Sequence, residues 1–136
     1  MKSFSASVGA WGRKTERRLE LIHKESAQRV FNKAQTPRAK GGLLPIDTGF
    51  LRASGVGALN TMPSGPSDPS EGINENWEGV VSLVIDQASP SDVIFLGWSA
   101  NYARLMEERY GFMKTAAGQW PQIVRGVVQE AKARVR

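Results

Sequence analysis

The positions Trp11, Thr15, Leu19, Ile22, Ser26 and Val30 follow one another at three- and four-residue steps, and Ala27, Phe31 and Ala34 widen the stripe. That period predicts one long amphipathic helix over residues 8–35. Its opposite face carries Arg13, Lys14, Arg17, Lys24 and Arg29, and Glu20 precedes Lys24 by the four residues that favour a helical ion pair. Pro37 and the pair Gly41–Gly42 end it. The stripe is thin and the helix longer than a domain of this size needs for its own core, which points to burial against neighbouring subunits.

Downstream the pattern changes. Leu44 to Ser54 reads as a Pro-led extended entry, an Asp47–Thr48 cap, a pivot at Gly49 and a short amphipathic turn presenting Leu51 and Arg52. Residues 53–59 predict a short strand. Residues 60–76 hold three prolines, two glycines and several serines. A loop that long in a compact domain is functional or disordered, and it is expected to be mobile in the free chain and to order against a partner. Trp77 to Asp86 contains Val80, Val81, Leu83, Val84 and Ile85, a β-branched run that predicts the clearest strand. Ser89–Pro90–Ser91 turns the chain into an antiparallel partner over residues 93–98. Ser99 is expected to cap a helix over residues 101–109 with Tyr102, Leu105 and Met106 inward, and Gly111 to stop it. A turn-rich stretch reaches Gly118, and Pro121 opens a last helix with Trp120, Val124, Val127, Val128, Ala131 and Val135 at helical spacing. The order α-β-β-β-α-α predicts an α+β domain: a small antiparallel sheet packed by a long N-terminal helix, a short middle helix and a C-terminal helix.

The length of 136 residues fits one domain, here taken as 1–136 with the loop at 60–76. There is no cysteine and one histidine, His23, so a disulfide scaffold, a thiolate metal site and a His-rich zinc site all lack ligands within one chain. No apolar run approaches the roughly 20 residues that cross a bilayer. The serine-broken N-terminus lacks an apolar signal segment, so synthesis inside the cell and no membrane partner are expected.

Net charge is +5, but it is segregated. Residues 1–40 carry ten Lys/Arg against three Glu, residues 41–100 one Arg against seven acids, and residues 101–136 seven Lys/Arg against three acids. Basic flanks around an acidic middle can pair with a copy of the same chain or mark a nucleic-acid surface. Candidate partners for the acidic segment of a neighbour are Arg13, Arg17 and Lys24 on the first helix and Arg125, Lys132 and Arg134 on the last. No catalytic set emerges: His23 has no dyad partner at a useful spacing, Glu107 and Glu108 point about 100° apart on a helix, and the glycines lack phosphate-loop or dinucleotide spacing. No cofactor is implied and no enzyme is expected.

The corner Asp47–Thr48–Gly49…Leu51–Arg52, read with Tyr102–Ala103…Glu107, resembles the small neck or tail-completion proteins of long-tailed phages, which include head–tail joining and tail-terminator-like rings. The match runs from about residue 44 to the C-terminus. Such relatives continue with a "P-F-[L/M]-x-P-A" stretch, whereas Gly111–Phe112–Met113–Lys114–Thr115–Ala116 keeps the Phe and Ala and lacks both prolines. The resemblance implies a structural virion protein, assembled in the host cytoplasm. It forms a homo-oligomeric ring, hexameric in the family, that completes or caps the tail tube. It implies as partners the head connector or stopper protein and the tail tube protein, with genomic DNA passing through the lumen. The competing expectation is a small basic DNA-binding protein using the helix of residues 10–40 against phosphates.

Overall fold

The computed structural model describes residues 3–135. Helix α1 spans Phe4–Ala34, begins at Ser3, whose hydroxyl accepts from the Ala6 N–H, and so starts a turn earlier than the stripe predicts. The chain doubles back beside its end, where Pro37 and Leu44 pair. Then come α2 (Phe50–Ala53), β1 (Gly55–Leu59), α3 (Trp77–Asp86), β2 (Ile94–Trp98), α4 (Ala103–Tyr110), α5 (Phe112–Gly118) and α6 (Trp120–Arg134). Strands β1 and β2 are antiparallel, in register from Gly55 opposite Trp98 to Leu59 opposite Ile94. The fold is α+β, with the long N-terminal helix against a small sheet.

One predicted strand is a helix. Val80, Val81, Leu83, Val84 and Ile85 lie in α3, so the sheet has two strands and not three. As a strand this run would alternate Val81, Leu83 and Ile85 with Val80 and Val84, leaving both faces apolar and in need of two covering layers. A helix gathers Val81 and Ile85, four residues apart, onto one side, where they pack on Ala27 and Phe31 of α1. Val80 and Leu83 are left outside. Tertiary packing has overridden the β propensity of the valines. The stretch after Gly111, expected to be turn, is α5: lacking both prolines, it runs as a helix with Phe112 and Ala116 buried.

The core falls into two clusters. Ala27, Phe31, Val81 and Ile85 form one; Leu44, Phe50, Leu51, Ala100 and Phe112 form the other. Trp98 joins them, its ring stacked on Phe31 at 5.4 Å between centroids and edge-on to Phe112 at 4.9 Å. Helix α6 runs back along α1: Arg29 is paired with Glu130, and Arg18 Nε donates to the Val135 carbonyl at 2.9 Å. The Arg29 guanidinium holds the Glu130 carboxyl below its ordinary range.

The helical assignment of residues 77–86 has a direct test, because Leu83 and Ile85 share a face in a strand but not in a helix. Ile85 is 3% exposed and Leu83 59%. Ile85→Ala is expected to cost about 2–5 kcal/mol in chemical denaturation, whereas Leu83→Ala should stay within about 0.5 kcal/mol. Equal losses would favour the strand.

Candidate functional site

The two pieces of sequence that stood out, fifty residues apart, meet in space. Gly49 adopts φ +86°, which an L side chain resists, and starts α2. Thr48 Oγ1 accepts from the Phe50 N–H at 3.3 Å. Phe50 and Leu51 turn into the core against Tyr102, with the Phe50 and Tyr102 rings 6.2 Å apart. Burial raises the Tyr102 phenol above its ordinary range; a backbone hydrogen bond with Leu51 opposes this and the charge of Asp47 adds to it. Asp47 itself is exposed and does not cap α2, whose N-cap is Gly49 with no side-chain bond. The left-handed turn at Gly49 places Thr48, not Asp47, within reach of the first free N–H.

Arg52 points inward. Its Nε donates to the Gln35 carbonyl at 3.0 Å, and its guanidinium lies over the Trp77 ring at 5.2 Å. In return Gln35 Nε2 donates to the Arg52 carbonyl at 2.8 Å, and Gln35 Oε1 accepts from Trp98 Nε1 at 2.8 Å. Gln35 is 2% exposed and is the residue on which α1, α2 and β2 converge. Gly55 permits the approach: a Cβ there would stand 2.5 Å from Gln35 Nε2 and 2.8 Å from Phe31 Cζ. Sequence reasoning passed over Gln35. Its only signal is a polar residue four after Phe31, on the apolar stripe, two before a proline.

Glu107 also has a structural task. Its carboxylate accepts from the Met113 and Lys114 N–H groups at 2.7 and 2.9 Å, capping the start of α5 across the Gly111 turn. Glu108 faces solvent near Arg104. Ser99 does not cap α4; its hydroxyl donates to the Pro66 carbonyl at 2.6 Å, fastening residues 60–76 to the end of β2. Within that stretch Asp68 and Glu71 form a capping box around one turn at Pro69–Glu71. The N–H of Asn101 donates to the Ser67 carbonyl at 2.7 Å.

Between the corner and α4 lies an open cleft of about 460 Å³, walled by Arg38, Asp47, Leu51, Tyr102 and Met106, with Arg38 over the Tyr110 ring at 4.7 Å. It holds no nucleophile paired with a base. His23 Nε2–H donates to the Asp92 carbonyl at 2.9 Å, far from this cleft in sequence and role. Among the described residues no group of three His, Asp or Glu could hold a metal ion, and no described helix is long and apolar enough to cross a membrane. Of the basic residues singled out, Arg13 and Arg17 on α1 and Arg125, Lys132 and Arg134 on α6 are exposed, whereas Lys24 is tied to Glu20 at 2.8 Å. What the geometry offers is a braced corner and charged, exposed helix faces.

Two substitution sets check these assignments. Gln35→Leu keeps the volume but strands the Trp98 N–H and the Arg52 carbonyl; at about 1–3 kcal/mol for each unpaired buried group, a loss above about 2 kcal/mol is expected from urea melts. Glu107→Ala should cost about 0.5–2 kcal/mol as a lost helix cap, while Asp47→Ala should stay within about 0.5 kcal/mol. The reverse order would restore Asp47 as the cap.

In comparisons with known proteins, no family model, no curated protein and no solved structure matches this chain.

Proposed function

We propose that this chain is a structural subunit of the neck of a long-tailed phage or phage-like particle. In this reading it assembles into a homomeric ring, of six copies as the resemblance implies, that completes or caps the tail tube and joins it to the head connector. The observation that carries the reading is the packing of the Asp47–Thr48–Gly49 corner against the Tyr102–Glu107 helix. Of the residues that bear the resemblance, Leu51 and Tyr102 share one core cluster, and Glu107, on the same helix as Tyr102, caps α5. The long basic helix α1 and the acidic segment 60–92 add the two unlike surfaces that a head-to-tail ring requires of every subunit. Its partners are other copies of itself, the connector or stopper protein and the tail tube protein. Genomic DNA passes through the lumen, and the chain resides in the virion after assembly in the host cytoplasm. It acts through interfaces and not as an enzyme.

A second reading is favoured by one observation: the exposed Arg13 and Arg17 on the outer part of α1 present a cationic face that suits duplex phosphates. Two measurements separate the readings. The purified chain should restore head–tail joining in an extract that lacks it, and should form closed rings under the electron microscope. Reversing Arg13, Arg17 and Lys24 together to Glu should abolish ring formation without unfolding, since rim charges are weak singly and act cumulatively. Retardation of duplex DNA at about 150 mM salt, with no ring and no joining activity, would replace the neck reading with the DNA-binding one.

A further inference from the structure

Helix α1 has 31 residues and is about 46 Å long, yet the first buried residue along it is Ser26. The last described residue of the chain, Val135, meets α1 at Arg18, and the helix before that point stands as an arm. Phe4, Val8, Trp11, Thr15 and Leu19 fall on one side of the arm by helical spacing. Phe4 is 85% exposed and Trp11 69%, and Val8 and Leu19 are about half exposed. By the same spacing Lys14 lies to one side of this stripe, and Arg13 and Arg17 lie on the far face of the helix. A soluble monomer has no reason to present Phe, Val, Trp and Leu in register on a free helix.

The chain also presents a matching surface. The outer face of α3 leaves Val80 and Leu83 exposed beside Gly79. Beside them a shallow groove of about 440 Å³ runs between α1 and α3, lined mainly by the polar side chains of Lys24, Glu25, Gln28, Ser82 and Asp86, together with Leu83 and Ile85. From residue 60 to residue 92 there are six acids and no Lys or Arg. The arm cannot reach this groove in its own chain, because it is the rigid continuation of the same α1 that forms one wall.

We infer that the apolar stripe of the arm of one subunit docks on the exposed face of α3 beside the α1–α3 groove of the next copy, with Trp11 as the anchor against Leu83 and the net-basic arm alongside the acidic 60–92 segment. The occupant is a second copy because one chain carries both halves, an exposed apolar stripe on a net-basic helix and the exposed Val80–Leu83 pair within an acidic segment. Two different patches in contact make a head-to-tail chain of subunits, which closes into a ring when the rotation permits. This contact deepens the neck reading and rests on its homomeric ring. Trp at the centre of a desolvated patch is the residue type that dominates such interfaces.

The absence of cysteine makes the test clean. A chain carrying both Val8→Cys and Val80→Cys, one turn from each anchor, treated at high concentration with a short bismaleimide, should give a denaturing-gel ladder of covalent dimers and larger multimers. A control chain with Val8→Cys and Ile46→Cys should not. Both replaced positions are exposed, so circular dichroism should match the parent. Independently, Leu83→Glu should weaken self-association by about tenfold or more. No ladder, or equal ladders from both pairs, overturns the contact, including the outcome in which the arm binds DNA instead. Rings without an 8–80 ladder overturn this contact and spare the neck reading. A ladder from a chain inactive in head–tail joining does the opposite.

Discussion

The amide of Gln35 lies between the end of α1, the corner helix α2 and strand β2, with its oxygen bonded to the Trp98 indole and its nitrogen to the Arg52 carbonyl. Arg52 returns a bond to the Gln35 carbonyl, so the two residues close a reciprocal clamp. In a site almost without solvent, polar groups must find partners within the protein, and the cost of leaving one unpaired exceeds the net gain of making the bond. That asymmetry fixes the positions of three elements at once. It holds Trp98 where its ring can bridge the two apolar clusters, and it requires Gly55 where any Cβ would collide with the amide.

From this clamp outward the structure is braced at short range and bare at long range. The corner is held by Thr48 on the Phe50 N–H and by the packing of Leu51 on Tyr102; α5 is held by the Glu107 carboxylate. Residues 60–76 are fastened by Ser99 and Asn101. By contrast, the outer part of α1 contributes no buried residue. The buried helical side chains lie in the last turns of α1 and in α2, α3, α5 and α6, and none lies in the outer part of α1. Substitutions at the exposed positions of the outer helix are therefore expected to leave the fold unchanged.

The sequence by itself determined a good deal. The α+β class, both terminal helices, the two strands at 55–59 and 94–98 and the limits of the long loop follow from periodicity, breakers and local turn chemistry, whereas the corner and the Tyr102 helix were linked only as two motifs of one resemblance. These features are local: 3.6-residue spacing, prolines, and a glycine at φ +86° act within a few residues of themselves. What only the tertiary structure decided depends on partners far away in the chain. The run 77–86 is apolar enough to be strand or helix, and the single covering layer supplied by Ala27 and Phe31 selects the helix. Asp47 is the better cap by composition, but the turn at Gly49 delivers Thr48 instead. Glu107 was legible as a marked position and not as the cap of a helix that only forms beyond Gly111. Gln35 was invisible because its partners, Arg52 and Trp98, stand 17 and 63 residues away, and no local rule can tell a polar residue that ends a helix from one that holds a core together.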